Sequence, residues 1–134
     1  MRASALDRFV GIPYCPRSMD CGDLVMQVQR EIYGRTVCLP GARPRPLRAA
    51  EQALAIRAQV EALARRVAEP ADGDLILMFD GAQDIPGHAG TFFFLAHEPW
   101  VLHTSHVLGG SRLHRLSALP SMGLQIEGYY RWSD

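Results

Sequence analysis

The chain has 134 residues, enough for one domain with a real core and too few for two ordinary domains. Its 14 basic and 14 acidic side chains cancel, so no basic field points to nucleic acid and no acidic tail to a solvating segment. Cys15, Cys21 and Cys38 are odd in number and lack metal-type pairing, so no disulfide framework is implied.

Residues 1–12 read as a short helical or extended lead, with Leu6, Phe9 and Val10 available for packing. The lead lacks the apolar core of a signal peptide, and no apolar run is long enough to span a bilayer. The expectation is a soluble protein made in the cytoplasm without a signal of its own. Pro13 and Pro16 flank Tyr14 and Cys15, which favours an ordered loop over a helix. Asp20 is a good N-cap and Asp23 sits at the third helical position, favourable for the helix dipole. Leu24, Val25, Val28 and Ile32 recur at helical spacing until Gly34, so a helix is predicted from Cys21 to about Tyr33. Residues 34–46, with Pro40, Gly41, Pro44 and Pro46, read as a surface loop. A long helix is predicted from Leu47 to Ala68: Ala49, Ala53, Ile56, Val60, Leu63 and Val67 mark one face, Arg57, Glu61, Arg65 and Arg66 the other. The basic residues are arginines, many of them between Arg43 and Arg66, and their plainest reading is a solvated helix face.

After Pro70 the character changes to strands. Asp74–Phe79 is a short apolar run behind the turn signal Ala71-Asp72-Gly73. His88–Leu95 and Trp100–His106 form a predicted hairpin around His97-Glu98-Pro99. Arg112–Leu116 and Leu124–Trp132 supply one or two more strands. Helices first and antiparallel strands afterwards predict an α+β fold.

Cys21 lies on the first turn of its helix, where N–H groups and the positive end of the dipole favour a thiolate. It reads either as a nucleophile or as one more apolar residue of a buried face. A cysteine nucleophile needs a general base and a polar group that orients it. His88, flanked by Gly87 and by Ala89-Gly90, has room around its ring. His103 projects from the same sheet face if the hairpin loop has an even number of residues. A four-residue loop leaves the two offset, whereas a tight turn near Leu95-Ala96, or a bulge, brings them opposite. His97 belongs at the hairpin tip in solvent, His106 has the opposite strand parity to His103, and His114 reads as an ordinary surface residue. Neither the cysteine nor the histidine spacings form a zinc ligand set.

These residues resemble the NlpC-type papain-like cysteine peptidases that cut cell-wall peptides, and within them the bacteriophage tail-associated branch. The resemblance rests on Gly11-Ile12-Pro13-Tyr14, on Asp20-Cys21-Gly22-Asp23-Leu24-Val25 with Arg30-Glu31, Gly34 and Leu39-Pro40, and on Asp72-Gly73-Asp74-Leu75-Ile76-Leu77. It continues through His88-Ala89-Gly90-Thr91-Phe92, Val101-Leu102-His103 and the closing Ile126-Glu127-Gly128-Tyr129-Tyr130-Arg131. It implies a papain-like fold, with N-terminal helices packed on a small antiparallel sheet in a single peptidase domain spanning 1–134. It also implies Cys21 as nucleophile, His88 as general base, His103 as the residue orienting His88, and Tyr14 as an oxyanion partner. No metal or organic cofactor is needed. The implied substrate is a peptidoglycan stem peptide, the implied partners are phage tail proteins, and the implied location is the virion tail. The rival reading is a non-catalytic tail assembly or connector protein that retains the fold, and a second rival is a thiol hydrolase of a lipid or small-molecule amide, favoured by a roomy apolar groove beside Cys21. The chain departs from the family where Trp-Gly-Gly is usual, with Cys15-Pro16-Arg17-Ser18, and where serine usually follows the cysteine, with Gly22. These departures bear on substrate specificity more than on cysteine chemistry. Cys15, close to Cys21 in sequence, leaves a redox-sensitive pair open.

Overall fold

The computed structural model describes residues 1–37, 57, 58, 60–81, 84 and 86–133. The expectations for Cys38, for Pro40 to Pro46 and for the first part of the long helix lie outside the described residues.

Six strands form one antiparallel sheet in the order β1-β6-β2-β3-β4-β5: β1 Ala64–Val67, β2 Leu75–Asp80, β3 His88–Leu95, β4 Glu98–His103, β5 Arg112–Arg115 and β6 Leu124–Trp132. A 3-10 turn over Ala3–Phe9 and the helix α1, Cys21–Tyr33, precede the sheet, and a second 3-10 stretch, Leu116–Met122, joins β5 to β6. The architecture is α+β. Among the described residues no helix is long and apolar enough to cross a membrane.

The start of α1 is fixed by a reciprocal capping box. The Asp20 carboxylate accepts from the Asp23 N–H and the Asp23 carboxylate from the Asp20 N–H, both at 2.9 Å. Its end is fixed by Gly34, whose φ of 64° is the left-handed conformation that glycine adopts without strain; its N–H and that of Arg35 close onto the last carbonyls. Between these caps Leu24, Val25 and Val28 are fully buried, each stabilising the fold by roughly 1.5–3 kcal/mol.

Side-chain alternation sorts the sheet into two faces. Phe93, Leu95 and Leu102 pack with Leu6, Phe9, Leu24 and Val28 on the face covered by α1 and the N-terminal turn. Leu75, Leu77, Ala89 and Trp132 pack with Cys21 and Val25. Ile76, Met78, Phe92 and Val101 point to the opposite face, under Leu119 and Leu124. Burial on both sides explains why β2 reads as an uninterrupted apolar run.

The long helix predicted to Ala68 stops earlier. Residues 60–63 are helical, and Ala64–Val67 is strand, paired Ala64↔Trp132 through Val67↔Tyr129. The edge of β6 captures this segment, and Arg66 then reaches across to the Glu127 carboxylate and carbonyl at 2.7 and 2.6 Å. Val10, expected to pack, is 39% exposed. The β3–β4 connection is a two-residue turn, Ala96-His97, with φ of 51° and 67°, the geometry of a type I′ hairpin. His97 is at the tip and exposed, as the sequence indicates.

Candidate active site

Cys21 is the first residue of α1 and lines a cleft of about 190 Å³ together with Tyr14, Asp80, His88, Thr104 and His106. Three local features bring these residues to one place. The capping box sets where the helix begins, so the thiol sits on the turn whose N–H groups have no intrahelical acceptor. His88 is the first residue of β3, beside Ala89, which packs in the same cluster as Cys21.

Tyr14 is held by a third device. The buried Ser111 hydroxyl donates to the Phe9 carbonyl at 2.5 Å and accepts from the Ile12 N–H at 2.8 Å. Backbone bonds Gly11 to Ser111, Ser111 to Ile12 and Tyr14 to Gly109 continue the seam. A proline-rich loop that would otherwise wander is stitched to the segment before β5. Tyr14 then meets the His106 ring edge-on, with centroids 5.9 Å apart.

The hairpin register resolves how His88 and His103 relate. With Thr91 opposite Leu102, His103 stands across from Gly90 and not from His88. The tight turn therefore leaves the two histidines one same-face step apart, on the diagonal, and not directly opposite. Gly90 makes the approach possible: a Cβ there would lie 2.5 Å from Val101 Cγ2 and 3.1 Å from His103 Cβ. Across the resulting gap His88 Nε2 and His103 Nδ1 are 2.8 Å apart.

The chain of rings does not end at His103. Its Nε2 lies 2.8 Å from Nδ1 of His114, which sits on β5 opposite Val101 and on the same face. His114 is thus not the ordinary surface residue that the sequence indicates, and its place in the row is hidden from the sequence because it depends on the β4–β5 register. Two nitrogens on one tetrahedral zinc would stand roughly 3.3 Å apart, so these shorter spacings are those of hydrogen bonds. Among the described residues no group of three or more His, Cys, Asp or Glu side chains is arranged to hold a metal ion.

Burial keeps this row neutral. Desolvation pulls His88 from 6.5 down to about 4, with the Asp80 carboxylate opposing the shift. His103 falls to about 3, first by desolvation and then by its two imidazole neighbours. His114 is lowered by desolvation and by Arg112. At neutral pH His88 is therefore an unprotonated imidazole, able to take a proton during attack.

Sequence reasoning missed several residues at the site. Asp80, the last residue of β2, is beside His88, one position beyond the strand end read from the apolar run. His106 is not on a strand, because β4 ends at His103, and it faces the cleft from the following turn. Thr104 is fully buried in the cleft wall, and its hydroxyl has no hydrogen-bond partner among the described residues. Cys15, half-buried, and Cys21, buried, are not joined in a disulfide. The Cys15 thiol is held below its ordinary range chiefly by a hydrogen bond with the Ser18 side chain.

The cleft is not isolated. A second cavity of about 160 Å³ shares Asp80, His88, Ser105 and Val107 with it and continues to Leu108, Met122 and Leu124. Leu124 in turn lines a third of about 510 Å³, walled by Leu116, Leu119, Pro120 and Ile126. Compared with known proteins, the chain matches no family model, no curated protein and no solved structure.

Proposed function

We propose that the chain is a papain-like thiol hydrolase that cuts an amide bond in bacterial peptidoglycan stem peptides, as a wall-opening component of a phage tail. One observation carries the chemistry: Cys21, at the N-terminus of α1, shares a cleft with His88, whose Nε2 is engaged by His103. The cell-wall substrate and the tail location rest on the sequence resemblance.

In this reading Cys21 Sγ attacks the amide carbonyl while its proton passes to Nδ1 of His88, the ring nitrogen not engaged by His103. The tetrahedral oxyanion is met by the Cys21 N–H and the Tyr14 hydroxyl. His88 then returns the proton to the leaving amine, and the acyl group remains as a thioester. His88 deprotonates a water that attacks this thioester, and collapse frees the acid and restores the thiol.

Mass spectrometry of purified peptidoglycan digested with wild type, Cys21→Ala and His88→Ala is the test. Wild type should release peptide fragments and both variants none, with their folds intact. Cleavage by Cys21→Ala at the wild-type rate would refute the mechanism. Absence of fragments with wild type, together with a Cys21 no more reactive than a model thiol, would favour a tail connector that keeps the fold without the chemistry.

A second reading is favoured by the apolar cavities that continue from the cleft. Their walls of Leu108, Met122, Leu124, Leu119 and Ile126 suit an alkyl or aromatic substituent, as in a lipid or small-molecule amide. Release of the acid from an N-acyl amide by wild type, with intact peptidoglycan, would select that substrate class.

A further inference from the structure

The row of three imidazoles has a directional property that neither single bond possesses. In a chain of neutral rings joined nitrogen to nitrogen, each link needs one N–H and one lone pair, so the tautomer of one ring dictates the next. The observed links, His88 Nε2 to His103 Nδ1 and His103 Nε2 to His114 Nδ1, allow only two consistent arrangements. In one, all three rings carry the proton on Nε2, and His88 has a lone pair on Nδ1. In the other, all carry it on Nδ1, and His88 offers a proton instead of a lone pair. Only the first makes His88 a base.

We propose that His114 is a positioning residue of the site: its Nδ1 accepts from the His103 Nε2–H, which holds His103, and through it His88, in the tautomer that presents the His88 Nδ1 lone pair to the cleft. The inference rests on the reading of His88 as the base for Cys21. Three things favour this arrangement. Nε2–H is the tautomer that free histidine side chains prefer, so no ring is forced into its less stable form. His103 is about 1% exposed, so water cannot replace His114 as the acceptor for its second nitrogen. His114 is half-buried on β5, so its own Nε2–H can be met by solvent. The charged groups acting on the row are Asp80, beside His88, and Arg112, beside His114. Arg112 disfavours a cation on His114 and so keeps the acceptor available.

The test reads tautomers directly, by nitrogen NMR of histidine-labelled protein at neutral pH, alongside the rate at which iodoacetamide alkylates Cys21. Wild type should show Nε2–H on all three rings. His114→Phe keeps a ring but removes the acceptor, and should shift His88 and His103 to mixed tautomers. It should also slow Cys21 alkylation roughly tenfold, the scale of one lost buried hydrogen bond. His114→Asn, whose amide oxygen can stand where Nδ1 stands, should restore the Nε2–H signature and a rate within about twofold of wild type. Because the rings act as a unit, His103→Phe combined with His114→Phe should be no slower than His103→Phe alone. An unchanged His88 tautomer in His114→Phe, with unchanged alkylation, would overturn the proposal. A tautomer shift in His114→Phe upholds it even where wild type cleaves no substrate, an outcome that would count against the hydrolase reading alone.

Discussion

The buried histidines make the fold sensitive to mild acid, and the effect can be sized. In the folded chain His88 titrates at about 4 and His103 at about 3, both lowered from 6.5 chiefly by desolvation. Above about pH 6.5 the rings are neutral in both folded and unfolded chains, so neither contributes to the pH dependence. Below that value the unfolded chain takes up protons that the folded chain refuses. Stability therefore falls as pH falls, by about 1.4 kcal/mol per pH unit for each ring. At about pH 5 the two together cost on the order of 4 kcal/mol; the slope halves near pH 4, where His88 protonates within the fold, and the loss levels off near pH 3 with His103. This is a large share of the roughly 5–15 kcal/mol that holds a domain together. Urea unfolding followed by the fluorescence of the buried Trp132 measures it, at neutral pH and again at about pH 5. Replacing both rings, His88→Gln with His103→Gln, should remove most of the difference while leaving the contribution of the carboxylates. If wild type and this double variant lose the same stability on acidification, the row accepts a proton without penalty. His88 would then not be held as a neutral base.

Other perturbations test the scaffolding of the cleft. Gly90→Ala places a Cβ against Val101 and the Leu102 carbonyl, and should cost about 1–3 kcal/mol in urea melts while disturbing the His88–His103 contact. Ser111→Ala leaves the Ile12 N–H without its hydroxyl acceptor and should cost about 1–3 kcal/mol; loosening of Tyr14 should show as slower turnover and not as weaker substrate binding. Asp20→Ala removes the cap and should cost about 1 kcal/mol, with Asp20→Asn recovering most of it. His97→Gly relieves a positive φ at the hairpin tip and should raise stability by up to about 1 kcal/mol, leaving the cleft untouched.

Much of the fold is legible because its boundaries are locally encoded. Asp20 and Gly34 carry both ends of α1, and the bounds of β3 and β6 follow from their apolar and aromatic residues. Where the sequence misleads, a distant partner overrides a local signal. Ala64-Arg65-Arg66-Val67 has good helix formers and no breaker before Pro70, yet it pairs with β6. Pro99 reads as a stop before the second hairpin strand but lies inside β4. It sits in a non-hydrogen-bonded pair with Phe94, and β5 pairing begins only at Trp100↔Arg115, so no ladder needs its missing N–H.

The same distinction governs the site. The positions of Cys21 at a helix start and of Tyr14 in a loop are readable because a capping signal and a proline-rich stretch encode them locally. The histidines are not readable as a group, since their relation is diagonal: His88, His103 and His114 occupy three successive strands of the sheet, each one same-face step from the next. A change of one residue in either hairpin register would send a ring to the opposite face and break the row. The device therefore depends on the positive-φ turn at Ala96-His97, although neither residue touches the cleft. Lengthening that turn by one residue, with a glycine inserted after His97, should leave β3 and α1 in place. It should also abolish the His103 tautomer signature and slow Cys21 alkylation as much as His103→Phe does. If both survive the insertion, the pairing is fixed by the core contacts of Phe93 and Leu102, and the turn is only a connector.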